Sequence, residues 1–296
     1  MVDRTPSTLS WLLQLLAAVI TASFFFTLSV RVQYPVQHAQ SATTERAGPT
    51  PQPKEADSLP SAPAPATIPS VESLPLLPSV SPVVISHGPR DKKLIALTFD
   101  ACSTLKPSNY DERVTQVLVQ TGTPATLFLG GKWMEDEPAQ TRYLASLPQF
   151  ELANHTFLHP HLTKVSDDRI RQELQSTQEA MYVLTGKQPT LFRPPYGEYD
   201  DRVVRIASEM GLATVQFDLA SGDPDSLISK QKLIEYVSSM AKDGSIIVMH
   251  INRRGWHTAE ALPEIISRLR ARGFSFVTVS QLMAADSSSG RREEER

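Results

Sequence analysis

Two histidines four residues apart, His155 and His159, stand in the run Asn154-His155-Thr156-Phe157-Leu158-His159-Pro160-His161. In a helix or a tight turn that spacing puts both imidazoles on one side, where they can share a divalent metal. Pro160 turns the chain between His159 and His161, which gives His161 a supporting rather than a ligating place. Asp100 closes an apolar stretch from Leu94 to Phe99; there a carboxylate either caps the next element or serves as a general base or a metal ligand. Arg193 precedes Pro194-Pro195-Tyr196-Gly197, a rigid turn able to hold a guanidinium and a backbone amide in place. His250 ends the apolar run Ile246 to Met249, and Asp218 and Asp223 are acids that could pair with it, raise its pKa and make it a proton donor near neutral pH.

The elements that must position these residues follow from hydrophobic patterning. Candidate strands are Leu94 to Phe99, Ala125 to Leu129, Phe150 to Ala153, Thr190 to Phe192, Ala213 to Phe217, Ser245 to Met249 and Phe274 to Val279. Helical stretches alternate with them. One opens at Ser166 with Asp167 and Asp168 in its first turn and stops at Gly186, another runs from Ser229 to Gly244, and a third from Thr258 to Gly273. Strict β and α alternation implies a parallel sheet. Seven units predict a distorted (β/α)7 barrel of the TIM kind, and no Gly-rich phosphate loop follows the first strand to suggest a nucleotide-binding sheet. Asp100, His155, His159, Arg193, Asp218, Asp223 and His250 all follow strands, so one face of the barrel should collect them.

The rest of the 296-residue chain reads differently. Residues 1–32 contain an apolar run, Trp11 to Val30, long enough at about 1.5 Å per residue to span a bilayer, and are expected to be a membrane anchor or a signal segment. Residues 33–89 hold twelve of the chain's 23 prolines and one aromatic side chain, the composition of a disordered, semi-stiff tether. The folded domain is expected over 90–285, with a disordered tail at 286–296. A single cysteine, Cys102, excludes an internal disulfide and a cysteine-rich metal site, and a net charge of −3 gives no field to collect nucleic acid.

From about Arg90 to Met283 the chain resembles polysaccharide deacetylases, the NodB-homology domain or carbohydrate esterase family 4. The resemblance lies in Thr98-Phe99-Asp100, His155-Thr156-Phe157-Leu158-His159, Arg193-Pro194-Pro195-Tyr196-Gly197, Asp218-Leu219-Ala220-Ser221-Gly222-Asp223 and Val248-Met249-His250, in that order. It implies removal of N-acetyl groups from the amino sugars of an envelope or extracellular polysaccharide such as peptidoglycan. A divalent metal, zinc first among the candidates, would sit on His155 and His159. Asp100 would be the base and His250 the acid; Arg193 would orient Asp100, Asp223 would hold His250 protonated, and the amide near Tyr196 would help stabilise the oxyanion. Pro195 and Val248 would line the substrate pocket, with Trp133 or Trp256 as sugar-stacking surfaces. On this reading the domain faces the periplasm or the cell exterior on a single-pass anchor.

Two departures from the family pattern bear on this. Where the family has a second aspartate as metal ligand, this chain has Ala101 followed by Cys102. The favoured expectation is that Asp100 or a water takes that place; the others are that Cys102 turns inward as a thiolate ligand, or that metal binds weakly or not at all. Pro224 stands where a tryptophan is usual. The competing functions are a catalytically inactive glycan-binding or scaffold protein on the same barrel, and an amidohydrolase acting on a small non-sugar amide.

Overall fold

The structure, a computed structural model, describes residues 77–285 other than Leu105. The expected anchor, the tether up to residue 76 and the tail 286–296 lie outside the described residues. Among the described residues no helix is long and apolar enough to cross a membrane.

The elements run β1 (Val84–Ile85), β2 (Leu94–Ala101), α1 (Glu112–Gln120), β3 (Ala125–Leu129), α2 (Gly131–Asp136), α3 (Pro138–Ser146), β4 (Phe150–Asn154), α4 (Asp167–Thr185), β5 (Leu191–Phe192), α5 (Asp201–Glu209), β6 (Ala213–Val215), β7 (Leu219–Ala220), α6 (Lys230–Met240), β8 (Ile246–His250), α7 (Thr258–Ala271) and β9 (Ser275–Phe276). Every ladder between named strands is parallel, in the order β1-β6-β5-β4-β3-β2-β8-β7, with β9 on β2. β6 and β7 occupy opposite ends of that order apart from β1, yet only Gln216, Phe217 and Asp218 separate them. The four links from Val215 to Leu219 reach about 14 Å at most, so the two ends must lie close together. The sheet therefore curls into a barrel whose β6–β7 seam carries no ladder.

This seam corrects the single strand expected over Ala213 to Phe217. Gln216 N–H donates to Ile85 O (2.7 Å) on one edge, and Asp218 N–H to Ile246 O (3.3 Å) on the other, so the chain changes strand partners within two residues. A second correction concerns the tether. Val84 and Ile85 pair with Thr214 and Val215, Val80 N–H donates to Ser208 O (3.0 Å), and Leu77 packs against Gly211, so the domain begins before residue 90. Proline-rich composition concealed a two-residue strand.

Alternation along the strands sorts side chains into two apolar layers. Ile95, Leu97, Phe99 and Ala101 of β2 join Leu127, Leu129, Ile247 and Met249 beneath the helices, whereas Ala96 joins Phe128, Ala153, Leu191 and Ile246 in the barrel interior. Full burial of a side chain such as Phe99 contributes about 1.5–3 kcal/mol. Because the site residues share the inward parity, this partition also aims them.

The helix signals hold with two exceptions: α6 ends at Met240, capped by Ala241, so that Gly244 lies beyond it in the turn before β8, and the third helix start differs in its cap. Ser166 caps α4 by accepting from Arg169 N–H, Gly186 ends it at φ 69°, and Ser229 caps α6. Thr258, expected as the opening residue of its helix, is the first residue of α7, but its hydroxyl donates to Asp223 instead of capping.

Candidate active site

Inward parity on β2 places Thr98 and then Asp100 at the C-terminal mouth of the barrel, and β8 places Val248 and His250 beside them in register, Asp100 opposite His250. The next inward residue is Cys102; Ala101 points into the apolar layer under the helices. Asp100, Cys102, Val248 and His250 line a cavity of about 310 Å³ together with His155, His159, Pro194 and Tyr196.

Asp100 is held from behind. The buried Arg193 donates through Nη1 to Asp100 Oδ1 and to Thr98 Oγ1, both at 2.8 Å, and through Nη2 to Gln216 O at 3.3 Å, while its guanidinium lies 3.9 Å from the centroid of Phe128. The other carboxylate oxygen, Oδ2, stands 3.8 Å from His155 Nε2. Burial would raise the Asp100 pKa, but the charge of Arg193, helped by His155 and His250, outweighs it and holds the carboxyl below its ordinary value. Asp100 is thus an anion with one oxygen fixed and one available, the state a general base needs.

The two histidines sit on a loop and not on a helix. Thr156 and His159 both adopt left-handed backbone, at φ 64° and 58°. The loop is held by buried acceptors: Asn154 Oδ1 takes Thr156 N–H (2.9 Å), Thr156 Oγ1 takes His159 N–H (3.2 Å), and Glu173 Oε2 takes the N–H groups of Phe157 and Leu158 (2.7 Å each). From the other side the first amides of α2 donate to it, Gly131 N–H to Thr156 O and Lys132 N–H to Phe157 O, both 3.0 Å. A Cβ on Gly131 would stand 2.1 Å from the Phe157 ring, so glycine is required by this close approach.

His155 Nδ1 pairs with Arg193 O at 2.8 Å, which leaves Nε2 toward the cavity. The His155 and His159 rings lie 4.9 Å apart. Burial lowers both pKa values, that of His159 to about 3, so both imidazoles are neutral at pH 7 and carry free lone pairs. His159 Nδ1 is buried without a hydrogen-bond partner. Donor atoms of Cys102, His155 and His159, all buried, fall within 4.8 Å of one another. Neutral, converging nitrogen and sulfur donors with an orphaned buried nitrogen fit a divalent ion. Of the groups expected for the third coordination place, Cys102 is the one whose donor atom falls in this cluster, because strand alternation turns Cys102 inward and Ala101 away, while Asp100 Oδ2 stands 3.8 Å from His155 Nε2. Burial pushes the Cys102 thiol up to about 11.

Across the cavity His250 Nδ1 lies 2.9 Å from Asp223 Oδ1. The fully buried Asp223 also accepts from His250 N–H (2.8 Å), Thr258 Oγ1 (2.7 Å) and Ser221 Oγ (3.0 Å). Burial would lower the His250 pKa; Asp223, by charge and hydrogen bond, and Asp100 more than compensate, and the net direction is up. With Nδ1 bound to Asp223, Nε2 is the nitrogen left to exchange a proton with a ligand. A Cβ on Gly255 would come within 2.4 Å of Asp223 Oδ2 and 2.2 Å of Thr258 Oγ1, which fixes glycine there.

Not every expected residue belongs. Asp218 binds Ser245 Oγ, Ile246 N–H and Arg90 at the start of β8, at the far end of that strand from His250. Trp133 is fully buried in the core, edge-on to Tyr110, and offers no surface to a sugar. Pro195 is buried outside the cavity lining, where Pro194 stands instead, and Trp256 is 51% exposed but also outside it. The exposed aromatic surface at the rim is Tyr196, 54% exposed, at φ 60°, stacked on His161 at 4.1 Å and edge-on to His159 at 4.5 Å. Pro194 and Pro195 carry no N–H, so the amide of Tyr196 is the first one available on this turn. Phe217 and Arg254 complete the lining without any signal in the sequence; Thr258 and Ser221 had one, as a helix start and as part of the Asp218–Asp223 run, but it did not reveal their bonds to Asp223.

A sequence profile of polysaccharide deacetylases matches residues 87–215. The peptidoglycan-N-acetylmuramic acid deacetylase PdaA of Bacillus subtilis is 31% identical over 199 residues, covering 66% of this chain and 73% of the relative. The chain belongs to the polysaccharide deacetylase family. That family, CE4, comprises hydrolases acting on carbon–nitrogen bonds other than peptide bonds. A Bacillus cereus peptidoglycan-N-acetylglucosamine deacetylase is 31% identical over 198 residues, covering 66% of this chain and 70% of that one. Among solved structures, a CE4 family pseudoenzyme from Bacillus anthracis superposes with a TM-score of 0.62 at 26% identity, covering 69% of each chain.

Proposed function

We propose that this chain removes N-acetyl groups from the amino sugars of an envelope polysaccharide of the peptidoglycan class, using a divalent metal. The observation that carries the reading is a cavity lined by the Arg193-held carboxylate of Asp100, with the Asp223-held imidazole of His250 beside it on one side and the buried pair His155 and His159 on the other. An amide needs base, acid and electrophile together because its amine leaves poorly. A divalent ion held by His155 and His159 would act there as a Lewis acid on the amide carbonyl.

The remaining steps belong to the chain's own side chains. Arg193 fixes Asp100 so that Oδ2 can take a proton from the attacking water. The amide of Tyr196 is placed to donate to the carbonyl oxygen as it gains charge. His250 gives its Nε2 proton to the departing amine, and Asp223 steadies the resulting positions by accepting from Nδ1. Val248 meets the acetyl methyl, and the exposed ring of Tyr196 offers a sugar-stacking face at the rim. A rim aromatic suits a polymer threading past the cavity better than a small free amide.

Acetate release from N-acetylglucosamine oligomers and peptidoglycan fragments by the full chain tests the proposal. Release that disappears with chelation and in His155→Ala is expected; equal rates in wild type and His155→Ala would remove the reading. A second reading, a non-catalytic glycan-binding protein, draws on Ala101 and on the likeness to the pseudoenzyme. It predicts glycan binding without acetate release whichever metal is supplied. The proposal extends to location: the apolar run from Trp11 to Val30 supports a domain held outside the cytoplasm, which protease accessibility of intact cells would check.

A further inference from the structure

We infer that Cys102 is the third protein ligand of the metal site, so that this chain holds its ion through one sulfur and two nitrogens. The inference deepens the metal site of the reading above, but it rests on side chains and can be tested without turnover. Inward parity on β2 runs through Ala96, Thr98 and Asp100, and Cys102 continues it into the cavity, while Ala101 is buried in the opposite layer. The sulfur and the two imidazole donors already converge within 4.8 Å. Ligand atoms around a tetrahedral ion stand roughly 3.5 Å apart, so small side-chain rotations close the set. Independently, His159 is 8% exposed and its buried Nδ1 has no hydrogen-bond partner, on a ring that brings a nitrogen within 4.8 Å of the donor atoms of Cys102 and His155.

Asp100 is the less suitable third ligand. One of its oxygens is bound to Arg193 at 2.8 Å, and it does not fall within the converging donor group. Asn252 steadies the cysteine's backbone, donating through Nδ2 to Cys102 O at 2.8 Å and lying 3.8 Å from Sγ. Ligation forms a sulfur–metal bond and releases the thiol proton to solvent. A thiolate with two imidazoles favours zinc or cobalt over magnesium, calcium or manganese, and leaves a fourth coordination position for substrate or water.

The chain has one cysteine, so any thiolate signal reports this residue alone. Full-length protein, stripped of metal and titrated with cobalt(II) under anaerobic conditions, should develop a sulfur-to-cobalt charge-transfer absorption at one equivalent. In Cys102→Ser the band should vanish and cobalt affinity fall roughly tenfold or more, as expected for losing one of three protein ligands. Cys102→Asp should bind cobalt without the band and shift preference toward manganese, a readout that also serves if the serine variant folds poorly. Asp100→Asn should keep the band. A wild-type protein that binds cobalt with no charge-transfer band, or that binds none, overturns the assignment, as does loss of the band in Asp100→Asn with its retention in Cys102→Ser. Acetate release without the band would remove Cys102 and leave the deacetylase reading; the band without acetate release would do the reverse.

Discussion

The two walls of the cavity are built on different plans. On the His250 side, Asp223 gathers donors from β8, from the segment before α6 and from the first residue of α7, which fixes His250 Nδ1 and leaves only Nε2 for a ligand. On the His155 side, a loop with two left-handed residues brings together donors that are not bonded to one another, with His159 Nδ1 and Asn252 Oδ1 buried and unpartnered. The first wall is a hydrogen-bond network built around Asp223; the second brings the donor atoms of Cys102, His155 and His159 within 4.8 Å of one another. A self-satisfied network stores a proton in a fixed place, whereas converging unsatisfied donors suit an ion.

Substitutions should separate the walls by size of effect. The largest is expected for Arg193→Ala, which leaves the buried Asp100 charge unpaired: a loss of about 3–5 kcal/mol of stability, as when one partner of a buried ion pair is removed, read by denaturant unfolding, together with loss of activity. Asp100→Asn should lower kcat by about 10²–10⁴-fold, the usual range for a general base, with metal content unchanged by elemental analysis. An equal loss of metal would show that the base and the ion site are one structure and break the contrast.

The proton-holding wall is tested by pH. A general acid works only while protonated, and Asp223 keeps His250 protonated to higher pH than an ordinary histidine. Asp223→Asn should therefore move the alkaline limb of kcat toward lower pH while leaving metal binding intact; an unmoved limb would separate His250 from that limb. Smaller effects are expected from Gly255→Ala, which crowds Asp223 and Thr258, and Gly131→Ala, which displaces Phe157 and the histidine loop. The first should lower kcat with metal content held, and the second should lower metal affinity, each by roughly tenfold, the scale of sub-ångström misplacement around a preorganised site.

Legibility in the sequence followed the range of the interaction. The strands leading to Asp100, His155 and His250, the caps at Ser166 and Ser229 and the C-terminal placement of Asp100, Arg193 and His250 are local patterns, and they survive in the structure, whereas the strand expected over Ala213 to Phe217 is cut short at the seam. The pairing of Asp223 rather than Asp218 with His250 is not local: both acids follow the same apolar run, and only the change of strand partners at the β6–β7 seam sends one to each end of β8. Trp133 looked like a platform because composition cannot tell a rim aromatic from a core one. The inward placement of Cys102 follows from parity counted from Asp100 past Ala101, but its nearness to the two histidines depends on a loop two strands away, which no local pattern encodes.

The short strand at Val84–Ile85 has a practical consequence. It covers the outer side of β6, the flank of the seam where the barrel has no continuous ladder. A fragment beginning at residue 90 would bare the backbone amides and carbonyls of that flank, a template on which a second molecule can add its own strand. Such a truncation should be soluble only with difficulty, and its self-association would say nothing about the intact protein; a start ahead of Leu77 keeps the edge sealed.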